Sequence, residues 1–465
     1  MQDLTTGSIT RHLAKTTGFM LVMMVFQTLY FLVDLYWVGR LGTAAVAGVA
    51  VAGNLTFIVL ALGQMLGVGT TTVIAHAAGR RDQAEAQRLF IQSQLLAVAL
   101  GGGFLLVALA GRPAYARAMS ADAATARLAS DYLRWFIPAM ALQFPLGAMG
   151  AALRGIGLFK PGVLVSTVSV ILNMVLAPFL IFGWGTGRPF GVQGAAMSSL
   201  VAIAIAIVWM ARYFVGARAW IRFAPGGWVP ELPAWRRMLG LGLPAGFEFA
   251  MMAVYQALVY TVARPFGAAA QAGFGIGMRI IQAGFMPVVA LGMSVAPVAA
   301  QNVGARLASR VKATWRDAAI GAVAVMLLLL LACQLVPPLL VRPFARDPRV
   351  VAFGVDYLRI VSFGFVASGL IFVTSSMFQA MGNTMPSLFA SGARMVLLAL
   401  PLVPMARQPG FRLEWIWFLS VATTHVQLLL VLWMLRREYA RRLDFGGATP
   451  GGLPAAGVAV ATDAP

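Results

Sequence analysis

Asp131-Tyr132-Leu133-Arg134 returns 225 residues later as Asp356-Tyr357-Leu358-Arg359. The same interval carries Gly42 onto Gly267, Gly48 onto Gly273, Gly67 onto Gly292 and Gly79 onto Gly304. Gly157 and Pro161 meet Gly382 and Pro386 at that offset as well. One interval that holds across four loops and several helices makes the chain two copies of one unit. Composition says what the unit is. Of 465 residues, 60% are hydrophobic and 11% charged, with a mean hydropathy of +0.83. Soluble domains carry about 25% charged residues, so the chain is polytopic in a membrane.

Apolar runs that approach or exceed the roughly 20 residues needed to cross a bilayer predict helices near 16–38, 44–74, 89–110, 128–153, 161–184 and 192–215. A second set follows near 238–262, 270–300, 316–341, 354–381, 387–406 and 414–435. The fold class read from this pattern is an all-α integral membrane protein, twelve transmembrane helices as two parallel six-helix repeats. An even number of crossings per unit leaves both copies in the same orientation, a plan of secondary transporters that places the substrate site between the halves. The expected organisation is an N-lobe over 1–215, a linker over 216–237, a C-lobe over 238–442 and a disordered tail over 443–465. The linker is marked by Pro225, Gly226, Gly227, Pro230 and Pro233, and the tail by its Gly, Ala and Pro content.

The net charge of +20 does not point to nucleic acid. The basic residues are scattered over short loops with no basic face interleaved with aromatics, and anionic headgroups of a lipid bilayer are the simpler partner. The termini and even-numbered loops carry 20 Lys and Arg against 13 on the other side, which predicts both termini on the cytoplasmic side of an inner membrane. Cys333 stands alone, excluding an intrachain disulfide and a thiolate metal cluster, and His12, His76 and His425 lack metal-ligand spacing. No GxxxxGK[ST] occurs, so the chain does not drive transport with ATP by itself. No HExxH or Ser/His constellation supports an enzyme. Gly63-x3-Gly67 and Gly273-x-Gly275-x-Gly277 read as close-packing helix contacts and not as nucleotide sites.

Few charges lie deep. Asp34 sits within Gln27–Gly42, QTLYFLVDLYWVGRLG, where an acid near a helix centre costs about 2.5–3.5 kcal/mol on insertion scales. Gln27, Tyr30 and Asp34 share one helical face, a stripe suited to a cavity where a proton or cation couples to transport. Glu248 is the other deep acid, and Arg279 and Arg394 are the deep bases. A structural Glu248–Arg279 pair is compatible with that set, as is a second acidic site or substrate cavity. Asp34 corresponds to Val259 and Glu248 to Met23, so the two halves are not chemically equivalent. Ser166, Ser169 and Asn173 form a second polar face, with Pro178 beyond them able to bend the helix or free a carbonyl.

Asp34 with Val38-Gly39 and Leu41-Gly42, Leu153-Arg154-Gly155-x-Gly157-x3-Pro161, Asn173, Pro178, Phe182-Gly183, Gly191-Val192-x-Gly194-Ala195-Ala196, and Gly242-Leu243-Pro244 with Glu248 together resemble the multidrug and toxic compound extrusion (MATE) family, from Arg11 to about Arg442. The resemblance implies two V-shaped lobes exporting amphipathic, often cationic organic small molecules against an inward proton or sodium gradient. It places Asp34 and Asn173 at the N-lobe cation site, with Ser199 and Tyr132 as further candidates. No cofactor is expected beyond H⁺ or Na⁺ as coupling ion, with Na⁺ held at Asp34 and Asn173, and a monomer is expected. Ala177 stands where many relatives have Asp or Asn, which leaves fewer oxygen ligands and favours protons over a tight Na⁺ site; no proline precedes Pro113, which speaks against a bending first helix. In the expected cycle, protonation of Asp34 breaks its hydrogen bonds to the fifth helix. The nearest alternative is a lipid-linked precursor flippase of the same broader superfamily, which would use Arg279 and Arg394 to hold phosphates.

Overall fold

A computed structural model describes residues 1–185, 187–216, 219–224, 226–405 and 408–444, except for the side chains of Asn54, Phe249 and Val403. The predicted tail beyond Asp444 lies outside the described residues, as do Ala217, Arg218 and Pro225 of the predicted linker. Fourteen α-helices and no strand occur among the described residues, and twelve spans are long and apolar enough to cross a membrane.

The N-lobe holds α1 (Ile9–Gly39), α2 (Thr43–Gly79), α3 (Gln83–Met119), α4 (Ala123–Gly155), α5 (Phe159–Phe182) and α6 (Val192–Val215). The C-lobe holds α7 (Leu232–Ala263), α8 (Ala268–Gly304), α9 (Ala308–Leu335), the short α10 (Pro337–Val341), α11 (Pro348–Val361), α12 (Phe365–Ala380), α13 (Met385–Met405) and α14 (Glu414–Arg442). A 3₁₀ turn at Ser362–Gly364 joins α11 to α12, so the predicted tenth helix is one span with a break. Several helices run further than the apolar pattern predicts because polar caps outside the apolar run start them. Asp82 Oδ1 accepts from Glu85 N at 2.9 Å to begin α3, and Asp122 Oδ1 accepts from Thr125 N at 2.8 Å to begin α4. Pro178 neither breaks nor ends α5, which runs on to Phe182.

The repeat is written into the backbone. Arg81 and Arg306 both take left-handed φ, 59° and 58°, although neither is glycine. Gly157 (φ 78°) and Gly382 (φ 74°) close the fourth helix of the N-lobe and α12 of the C-lobe in the same way. Each lobe packs its own core, one around Phe90, Phe144 and Phe214 and the other around Phe274, Tyr357 and Trp417.

The polar contacts between the lobes gather at the end that carries the N-terminus. There the C-terminal ends of α2 and α8 pack so closely that a Cβ on Gly79 would strike the Gln301 carbonyl, and one on Gly304 the His76 carbonyl. His76 and Gln301 are themselves 225 residues apart, and each reaches the last carbonyl of a helix in the opposite lobe. His76 Nε2 lies 2.7 Å from Ala380 O, and Gln301 Nε2 donates to Gly155 O at 2.9 Å.

The first residues of the chain are bound into the same seam. Gln2 N donates to Ile156 O at 3.0 Å, Leu4 N to Gln301 Oε1 at 3.0 Å, and Arg310 Nη1 to Gly7 O at 3.0 Å. Leu4 is fully buried in the C-lobe core, worth about 2 kcal/mol of apolar burial. The linker is also tied down: Gln92 Nε2 donates to Val229 O at 2.7 Å, and Arg88 pairs with Glu231 at 3.4 Å. The predicted linker 216–237 overlaps the first turns of α7, which begins at Leu232.

Gly273 and Gly277 fit the close-packing reading, with Phe353 and Tyr357 lying against them. Gly63 does not, because nothing lies within 4 Å of the place its Cβ would occupy.

Candidate functional site

In the N-lobe, α1, α5 and α6 bring the predicted polar residues together. Tyr30 Oη and Ser199 Oγ are 2.9 Å apart, and Asn173 Nδ2 donates to Ser199 Oγ at 3.0 Å and Ser198 Oγ at 3.2 Å. Ser198 passes its own proton to Ala195 O at 2.8 Å, and Ser169 Oγ bonds Ala202 O at 3.2 Å. Asn173, Ser198, Ser199 and Tyr132 are buried. A chain of hydroxyls thus runs from α1 through α6 to α5, each member satisfied by its neighbour.

Asp34 is the exception. It lies one helical turn beyond Tyr30, in the neighbourhood of both the Tyr30 and Tyr132 hydroxyls. Its Oδ1 is shut off from solvent and has no hydrogen-bond partner. The expected hydrogen bonds from Asp34 to the fifth helix are absent here, because the Asn173 amide is turned to the α6 serines. Gln27, though on the same face, stays exposed and outside the cluster. Above Asp34, Trp37 packs edge-on to Phe182 at 6.0 Å and Trp184 at 5.8 Å, fixing the end of α1 against the end of α5. Among the described residues no three His, Cys, Asp or Glu side chains converge, so a cation here would have Asp34 and neutral oxygens for ligands.

The C-lobe carries a counterpart on α7, α13 and α14. Glu248 accepts from Ser387 Oγ at 3.0 Å and Ser391 Oγ at 3.1 Å, and Gln427 Nε2 donates to Ser391 at 3.1 Å. Glu248 therefore does not pair with Arg279; the serines of α13 fill the place of a counter-ion, and Arg279 is exposed on α8. One to two turns along, Tyr255 Oη meets Ser420 Oγ at 3.0 Å, and Arg394 Nη2 approaches the same hydroxyl at 3.5 Å. Arg394 lies over the Tyr255 ring, its Cζ 5.4 Å from the centroid.

Ser198, Ser387, Ser391, Ser420, Gln427, Tyr255 and Tyr357 were not singled out by the sequence reading. The repeat held the signal for some of them: the 225-residue offset carries Tyr30 to Tyr255, Tyr132 to Tyr357 and Ser166 to Ser391.

The sequence profile described as MatE matches residues 20–179 and 244–405, once in each lobe. The chain is 24% identical over 382 residues to a Shewanella oneidensis protein named FAD transporter, covering 80% of this chain and 83% of that one. It is 24% identical over 384 residues to the probable multidrug resistance protein YpnP of Bacillus subtilis, covering 82% and 84%. Its fold matches a solved structure of MATE in the bent conformation with a TM-score of 0.88 at 24% identity, over 94% of this chain and 97% of that one. A MOP superfamily transporter from Pyrococcus furiosus, described as having a binding pocket of reverse polarity, matches with a TM-score of 0.85 at 24% identity over the same shares. Two profile matches spanning well over half the chain, on twelve spans in two repeated lobes, settle the family: the chain belongs to the MatE family of membrane transporters and is not an enzyme.

Proposed function

We propose that this chain is a multidrug efflux antiporter of the inner membrane, expelling amphipathic, often cationic compounds in exchange for protons that load at Asp34. The observation that carries the reading is the Asp34 Oδ1 atom, buried without a donor beside a network in which Tyr30, Ser199 and Asn173 satisfy one another. A carboxylate oxygen left bare inside a membrane protein is costly and is relieved by a proton or a cation. Loss of that proton would draw the Tyr30 or Tyr132 hydroxyl toward the carboxylate. The Tyr30–Ser199 bond joins α1 to α6, so its rupture would loosen the packing that holds the N-lobe in this form.

With the termini cytoplasmic, the seam described above closes the inner side, as an outward-facing form requires. Each charge that crosses is worth about 2.3 kcal/mol per 100 mV, about 1.7 decades of gradient for a neutral substrate. Sodium at Asp34 and Asn173 is the alternative coupling. The flippase reading stands as the alternative; it calls for Arg279 and Arg394 together on phosphates, and Arg279 lies exposed on α8, outside the cluster that holds Arg394.

The test is transport of a cationic dye in proteoliposomes, with proton and sodium gradients imposed separately, for wild type and Asp34→Asn. Proton-driven transport that disappears in Asp34→Asn is expected. Sodium-driven transport alone would replace the proton in this scheme. Wild-type rates with intact coupling in Asp34→Asn would refute the role of Asp34.

A further inference from the structure

Both lobes carry the same pair of tyrosines. Tyr30 and Tyr132 in the first are Tyr255 and Tyr357 in the second, and each α1-type tyrosine meets a serine hydroxyl, Ser199 at 2.9 Å in one lobe and Ser420 at 3.0 Å in the other. The charge set beside the pair is opposite. In the N-lobe it is Asp34, replaced by Val259 in the C-lobe. In the C-lobe it is Arg394, which stands on α13 in the place of Ser169.

Arg394 is poorly satisfied for its position. It lies near the middle of α13, where a guanidinium costs about 2.5–3.5 kcal/mol on insertion scales. Its five N–H donors meet one hydroxyl, at 3.5 Å, and a ring face. Among the described residues no carboxylate lies within 4 Å of it, and Glu248 is already engaged by Ser387 and Ser391. Tyr357 spends its hydroxyl on the thioether of Met278 at 3.0 Å, a weak acceptor that a stronger one would displace. The ring of Tyr357 is held edge-on to Trp417 at 4.7 Å, and Trp417 stacks on Phe274 at 5.3 Å, so the aromatic wall around Tyr357 is fixed. Arg394 and Tyr255 both keep part of their surface exposed.

We propose that Arg394, Tyr255 and Ser420 form an oxyanion site, with Tyr357 packed behind it, that takes the carboxylate or phosphate group of an aromatic solute. The inference rests on the exporter reading and narrows its substrates: the N-lobe takes the coupling cation, and the C-lobe takes the negative group of a zwitterionic or anionic cargo. The Arg394 guanidinium and the Tyr255 phenol meet at the Ser420 hydroxyl, a donor set that suits an oxyanion, and the ring of Tyr255 offers a face to its aromatic body.

The test is equilibrium binding to the purified full chain in detergent with no gradient, which separates it from any failure of proton coupling. Rhodamine 110 and rhodamine 123 share one cationic xanthene body, the first with a free carboxyl group and the second with its methyl ester. Fluorescence anisotropy is read for wild type, Arg394→Gln, Arg394→Lys and Asp34→Asn. Arg394→Gln should weaken rhodamine 110 about tenfold or more, the scale of one charge-assisted bond, and change rhodamine 123 by less than about twofold. Arg394→Lys should recover part of the difference, and Asp34→Asn should leave the discrimination intact. Benzoate and phenyl phosphate should displace rhodamine 110. Equal weakening of both dyes, or none, would overturn the site. Displacement by phosphatidylglycerol alone would overturn the solute assignment and give the arginine to a lipid headgroup.

Discussion

Gln301 makes the seam between the lobes depend on one side chain. It is fully buried, accepts from Leu4 N at 3.0 Å and donates to Gly155 O at 2.9 Å, so it ties the N-terminal segment and α4 to the end of α8. Gln301→Ala strips a buried donor and a buried acceptor of their partner at once. Such groups cost about 1–3 kcal/mol each, and about 1–2 each where the vacated space admits water. Gly155 belongs to the N-lobe and its carbonyl is hydrated once the lobes part, so its penalty falls on the closed seam alone, whereas Leu4 stays in the C-lobe core in both forms. About 1–2 kcal/mol at Gly155 raises the ratio of open to closed seam about 5- to 30-fold. Ala75 reports this opening, since it belongs to α2 yet is fully buried in the core of the C-lobe. In a Cys333→Ala background, the alkylation rate of Ala75→Cys is proportional to the open population. It should rise by that factor on adding Gln301→Ala. A rise of less than about threefold, with the protein folded, would refute the assignment of the seam to these bonds.

Asn173→Leu, the residue found at the repeat position Leu398, removes two bonds to serines that keep their own acceptor in Ala195 O. Interhelical bonds in membranes average about 0.6 kcal/mol, so a loss of about 1 kcal/mol in steric-trapping unfolding is expected, and a loss above about 3 would show a larger role. Glu248→Gln keeps an acceptor for the α13 serines and should transport at near wild-type rate with coupling unchanged; loss of proton coupling would make Glu248 a second loading site. Burial alone would raise the pKa of Asp3, but the hydrogen bonds it accepts from Thr5, with the Arg81 guanidinium 3.3 Å away, outweigh that and hold it below the ordinary carboxylate value. A carboxylate depressed on folding adds stability above its unfolded pKa, about 3.9, and loses it as pH falls through the folded one. Hydrogen-exchange protection of residues 1–8, corrected for intrinsic rate, should therefore decline below about pH 4; an identical profile in Asp3→Asn would sink this account.

The sequence by itself determined the architecture. Hydrophobic runs have a length set by the bilayer, and a duplicated unit leaves glycines and a tetrapeptide at one fixed offset, so twelve spans in two repeats could be read without coordinates. It also marked Asp34, Tyr30 and Asn173, since polar groups inside apolar helices stand out wherever they face, while Ser199 entered only through the resemblance to the family. What it did not carry was pairing. Two deep acids and two deep bases suggested a Glu248–Arg279 bond, yet Glu248 went to Ser387 and Ser391, residues common enough in membrane helices to raise no signal of their own. The partner of a side chain depends on the rotation of each helix about its axis and on which helices touch, and both are set by packing between segments distant in sequence. The same holds for the seam. Nothing in Met1–Gly7 announces that Leu4 is buried against Gln301 and Asn302 some 300 residues away. Only the closure of the two lobes at that end brings α2, α4, α8 and the first residues together, and with them the hydrogen bonds that make the closed form a distinct state.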